Sequence, residues 1–163
     1  MADRPSYDRQ LRSIGQSLEA QRIAVFELMW QDDHYTVRGE PERESSLLAT
    51  LRSWQQQRRS AGLKTALRFT MEDLDELDRQ GAANRAQSNR LPDFHRLANT
   101  LRTVGAYLES KNAELIELRM MQLGLTLLLH NRAGHPELEE RTLVSFYPLF
   151  VQLHGQRHGR AAR

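Results

Sequence analysis

Cysteine is absent from the 163 residues, which excludes disulfides, thiolate zinc sites and a cysteine nucleophile. Lysine is nearly absent too, since all but two of the 23 basic residues are Arg. Arg suits bidentate contacts to carboxylate or phosphate better than Lys does, although a coding bias toward Arg is the ordinary explanation. A formal net charge of +2 is too small to imply a polyanionic partner. No apolar run approaches the roughly 18 residues that a membrane helix needs. The first ten residues, MADRPSYDRQ, contain no apolar secretory core, so the expectation is a reducing, cytoplasmic setting. GxxxxGK[ST], GxGxxG, GxSxG and HExxH do not occur. Their absence removes the phosphate cradles and nucleophile elbows that are legible in sequence, without excluding an enzyme. What remains is an ordinary soluble composition, 39% hydrophobic and 27% charged. The length suits one domain or two small units sharing a core.

The chain carries one segment twice. Leu11–Gly39 and Leu101–Leu129 align without a gap and are identical at 8 of 29 positions. The identities include Leu11/Leu101, Arg12/Arg102, Gly15/Gly105, Glu19/Glu109, Glu27/Glu117 and Thr36/Thr126. Each copy opens on a helical stripe: Tyr7, Leu11, Ile14 and Leu18 in the first, Leu97, Leu101, Val104 and Leu108 in the second. Glycine inside a helix costs about 1 kcal/mol relative to Ala. Its presence at the same helical position twice therefore predicts a close backbone approach at Gly15 and Gly105, a packing role rather than a catalytic one.

After each stripe the period changes to two. Phe26, Leu28 and Trp30 alternate with Val25, Glu27 and Met29, Asp32-Asp33 makes a turn, and Tyr35 and Val37 continue inward. The second copy gives a hairpin over Ala113–Met121 and Leu123–His130, with Ile116, Leu118, Leu125, Leu127 and Leu129 inward. Residues 41–64 have no counterpart in the second copy and read as an inserted helix or loop, with Leu47, Leu48, Leu51 and Trp54 on one face. Ala66–Phe69 reads as a third strand, and Thr70 as the N-cap of a helix from Met71 to about Arg85, with Asp73 reaching back to it. In the second copy, a strand over Leu138–Thr142 precedes a helix striped by Phe146, Leu149, Phe150 and Leu153, with Thr142 in the cap role and Pro148 near the first turn.

The expected fold is therefore α+β: tandem α-β-β-β-α repeats related by a pseudo-twofold, at about 7–85 and 94–158, followed by a disordered tail at 159–163. Antiparallel sheets carry helices packed on one face. This element order is that of a double-stranded RNA-binding domain. Those domains place a basic cluster at the start of the last helix, whereas here that turn reads Met71-Glu72-Asp73 or Leu143-Val144-Ser145, so no family is assigned.

Several residue sets are candidates for chemistry. His154 and His158 have the spacing of a metal-binding helix face, but Gly155 and Gly159 undercut it, and a solvated tail is the plainer reading. The acidic run Glu72, Asp73, Asp75, Glu76 and Asp78 is accounted for by the helix dipole. Glu27 and Glu117 make an acid–base pair only if they meet; otherwise they lie on a solvated sheet face. No catalytic, cofactor or metal set emerges, so the reading is a non-catalytic binding or scaffold protein acting through protein–protein contacts, itself among its partners. The self-association residues are Met121, Leu123 and Leu128, where a charged and polar outer face in the first copy becomes apolar in the second. The alternative is single-stranded nucleic acid held by Arg52, Trp54, Arg58, Arg59, Lys64 and Arg68.

Overall fold

The stripe Leu11, Ile14 and Leu18 lies on α1 (Tyr7–Ala20) and is completely buried. A computed structural model describes residues 6–41, 65–85, 92–121 and 124–158. After α1 come β1 (Ile23–Gln31), β2 (His34–Pro41), β3 (Thr65–Thr70), α2 (Met71–Arg85) and α3 (Leu97–Lys111). Then follow β4 (Glu114–Met120), β5 (Gly124–His130), β6 (Pro136–Thr142), a 3-10 turn at Leu143–Phe146 and α4 (Tyr147–His158). Of the expected insertion at 41–64, Pro41 ends β2 and residues 42–64 lie outside the described residues, as do the linker 86–91 and residues 159–163.

The six described strands form one antiparallel sheet in the order β3-β2-β1-β4-β5-β6. Separate sheets for the two segments had been expected. Instead β1 pairs with β4, setting Phe26 opposite Met120, Leu28 opposite Leu118 and Met29 opposite Glu117. The physical reason is that each would otherwise be an edge, with a row of backbone donors and acceptors left unpaired. The pairing also makes the apolar faces of the two hairpins continuous. Phe26, Leu28, Tyr35, Val37, Leu118, Met120, Leu125, Leu127 and Leu129 join α1 and α3 in a single buried cluster, so the helices cover one face of the sheet.

Two strand details differ from the periodic reading. The β4–β5 register shifts between Leu115 and Glu117, so Ile116 is the extra residue of a bulge. Leu115 takes the buried place that strict alternation assigned to Ile116. The second is the end of β6, where Thr142 occupies the N-cap position but its side chain makes no cap bond. The Ser145 hydroxyl donates to the Thr142 carbonyl instead. Thr70, by contrast, caps α2 as expected: its Oγ1 accepts the Asp73 N–H at 3.2 Å, and Asp73 Oδ2 accepts the Thr70 N–H at 2.8 Å. Pro148 is the second residue of α4, where its missing donor costs little.

The two glycines are where the helices touch. A Cβ on Gly15 would fall 2.6 Å from the Ala98 Cα, and one on Gly105 2.6 Å from the Asp8 Cα. α1 and α3 therefore run antiparallel in backbone contact. Neither helix start is capped by its own side chain. Glu109 Oε1 accepts the Asp8 N–H at 3.5 Å, and Glu19 Oε1 accepts the Ala98 N–H at 3.1 Å, so each helix caps the other. Outboard, α2 is tied to α1 by Arg12, whose Nη2 donates to Asp78 Oδ1 at 2.7 Å. α4 packs through Phe146, Phe150 and the Phe94 ring. His154 is buried against Phe150, with ring centroids 4.5 Å apart, which overturns its reading as part of a solvated tail: the helix face that carries Phe146 and Phe150 continues to it.

Gly15→Ala and Gly105→Ala are each expected to cost about 2 kcal/mol, because the new methyl meets backbone that cannot turn aside. Gly155→Ala, where nothing lies within 4 Å, should instead gain roughly 0.5 kcal/mol of helix propensity. Denaturant unfolding of the three variants decides it, and equal effects would refute the close contact. A second expectation concerns pH. The backbone N–H of Thr70, then its hydroxyl, hold the Asp73 carboxyl below its ordinary value of 3.8. A depressed folded-state value stabilises above the unfolded one and is lost as pH falls through the folded one. Asp73→Asn should therefore lower the Tm at neutral pH, with the gap to wild type closing below about pH 3.8.

Candidate interaction surface

Every described helix packs on one side of the sheet, so among the described residues only side chains occupy the other side. Strand register lays them out in rows. One row runs Arg38 on β2, Glu27 on β1, Arg119 on β4, Thr126 on β5 and Glu140 on β6. The neighbouring row runs Arg68, Thr36, Met29, Glu117, Leu128 and Leu138 across all six strands. Charge alternates along the first row, the favourable cross-strand arrangement. The second row ends in two leucines directly opposite one another.

Arg119 is the hub of the charged part. Its Nη2 lies 3.3 Å from Glu27 Oε1, and its Nε donates to Glu117 Oε1. The Glu117 carboxylate, with Glu27 behind it, raises the guanidinium pKa above its ordinary value. Glu27 and Glu117 do meet, but around a cation and on an open face. Each carboxylate is engaged by the guanidinium, so the pair is arranged as an ion-pair triad rather than as a free acid and a free base. The sequence reading missed Arg119, although its alternation with Glu117 along β4 was there to see.

The apolar part is uneven. Met121 and Leu138 are each 65% exposed, whereas Leu128 is half-buried between Glu117 and Leu138. Leu123 lies outside the described residues. So do Arg52, Trp54, Arg58, Arg59 and Lys64 of the nucleic-acid alternative; Arg68 is exposed on β3 and opposite Thr36. Two shallow clefts border β6, the larger about 450 Å³ and lined by Glu139, Glu140, Arg141, Thr142 and Ser145. Neither contains Glu27 or Glu117. Among the described residues, no group of three His, Cys, Asp or Glu side chains is placed to hold a metal ion. No described helix is long and apolar enough to cross a membrane. Comparison with family models, with curated proteins and with solved structures finds no match.

Arg119→Met removes the cation and leaves two carboxylates facing each other. The variant should melt below wild type at low salt and recover much of the difference at high salt, which screens the repulsion. An identical deficit at both salt concentrations would show that Arg119 acts through packing and not charge.

Proposed function

We propose that this chain is a non-catalytic binding or scaffold protein that works through protein–protein contacts, and that its outer sheet face takes a second copy of itself. The observation that carries the reading is the face that no described helix covers, with its alternating charge row and its leucine end. Consider a half-turn about an axis lying along the strands between β1 and β4. It sets each Glu27 over the partner's Arg119, and each Leu138 over the aliphatic stem of the partner's Arg68. Charge complementarity of this kind makes the face its own match, and twofold dimers are the commonest closed assembly. Leu128 and Leu138 supply the apolar contact, with Met121 at the rim.

The same proposal extends to the architecture: tandem α-β-β-β-α repeats related by a pseudo-twofold. Its support is that contacts between the segments come in exchangeable pairs. Under the alignment that matches Leu11 with Leu101, the Gly15–Ala98 approach becomes Gly105–Asp8, and the Glu19 cap on Ala98 becomes the Glu109 cap on Asp8. The Leu28–Leu118 pair maps onto itself.

Sedimentation velocity at concentrations on the order of tens of micromolar is the test. The expected species is twice the chain mass of 18.9 kDa, returning to a monomer in Leu128→Arg. A wild-type monomer, with Leu128→Arg indistinguishable from it, would overturn the reading. Retention of a single-stranded oligonucleotide on filters that collapses with added salt would replace it with the nucleic-acid alternative.

A further inference from the structure

The two edges of the sheet are built differently. At one edge, β3 turns Leu67 and Phe69 toward the helices, as the inner strands turn Phe26, Leu28, Tyr35 and Val37. At the other edge, β6 turns charge inward. Register places Glu137 opposite Leu129, Glu139 opposite Leu127 and Arg141 opposite Leu125, on the side where the β5 leucines are buried. Glu139 and Arg141 are engaged by α3. Tyr107 donates its hydroxyl proton to Glu139 Oε2 at 2.7 Å, and Lys111 pairs with Glu139 Oε1. Arg141 Nε donates to Glu139 Oε2 at 3.3 Å, Nη2 donates to the Tyr107 hydroxyl at 2.5 Å, and the guanidinium lies 4.4 Å over the Tyr107 ring. The Glu139 side chain retains only 13% of its exposure.

We infer that the Tyr107–Lys111–Glu139–Arg141 cluster guards the edge of β6 that no described strand occupies against pairing with a strand of a second copy. An edge strand offers unpaired backbone donors and acceptors to any other chain. A strand added outside β6 would bring its own inward side chains against Glu139 and Arg141. It would either strip their partners away or bury them beside apolar groups, and both are unfavourable. The direction of the protection matters. Contact of one molecule's β3 with the next molecule's β6 is head-to-tail, and repeated it makes an open filament. Apolar inward residues on β3 do nothing to prevent that, so blocking β6 alone suffices to stop growth. This inference is independent of the dimer proposed through the outer face, because Glu139 and Arg141 point to the opposite side of the sheet.

The test is the full chain carrying Glu139→Val and Arg141→Val together, with Lys111 and Tyr107 retained. Circular dichroism establishes that it folds; sedimentation velocity, thioflavin T and the infrared amide band of intermolecular strands are then followed against concentration. The expected result is a mass climbing severalfold above the parent's, with both strand signals growing alongside it. A folded variant that keeps the parent mass would overturn the guard, as would growth without new intermolecular strand signal. If the double variant does not fold, Glu139→Gln carries the same test: slower growth of the same species supports the guard, and an unchanged mass overturns it. Leu128→Arg should leave the thioflavin T and infrared strand signals at the parent's level, since it acts on the other face and reports on the dimer alone.

Discussion

Backbone contact between α1 and α3 is the constraint on which the rest of the structure depends. Side chains at a helix crossing normally hold the axes 8–10 Å apart. Glycine at both crossing points lets Gly15 lie against Ala98 and Gly105 against Asp8 with no side chain between them. The two helices thus behave as one narrow plate. A narrow plate needs a continuous apolar floor, and the pairing of β1 with β4 supplies it by joining Phe26 and Leu28 to Leu118 and Met120. With that plate seated on one side, α2 and α4 are left to flank it, Arg12 binding Asp78 and the Phe94–Phe150 rings closing the far side.

The consequence for function is a division of labour between the two faces of the sheet. The helix side is filled by a single apolar cluster, with two shallow clefts at its β6 margin. The opposite side is laid out by register alone, and register puts opposite charges next to each other at its centre. In the proposed dimer such a surface matches its partner by position of charge more than by depth.

Much of this was legible in the sequence because it rests on local patterns. The Asp32-Asp33 turn, the Thr70–Asp73 cap and the place of Pro148 each depend on residues within a turn or so of one another. The packing role of Gly15 and Gly105 was legible because an unfavourable residue occurs at equivalent positions twice. What sequence could not supply was long-range pairing. Nothing in the alternation of β1 or β4 says that they lie side by side, so one sheet was read as two, and the meeting of Glu27 with Glu117 was left open. Once β1 and β4 are neighbours, Arg119 falls beside Glu27 as a matter of register, and an isolated surface charge becomes a hub. The bulge that displaced Ile116 escaped for a related reason. It is a response to the twist and pairing of the assembled sheet, and period-two counting has no way to register an inserted residue.

The exchanged caps at the helix starts carry a consequence for how the molecule comes apart. Glu19 completes α3 and Glu109 completes α1, so neither helix has a finished end until the other has docked. The first turn of a helix is the costly step in forming it. When the groups that satisfy that turn sit on a distant stretch of chain, local fraying on one side releases a carboxylate and weakens the other. Opening of α1 and opening of α3 are then one event, and their amide protons should exchange with solvent as a single cooperative unit.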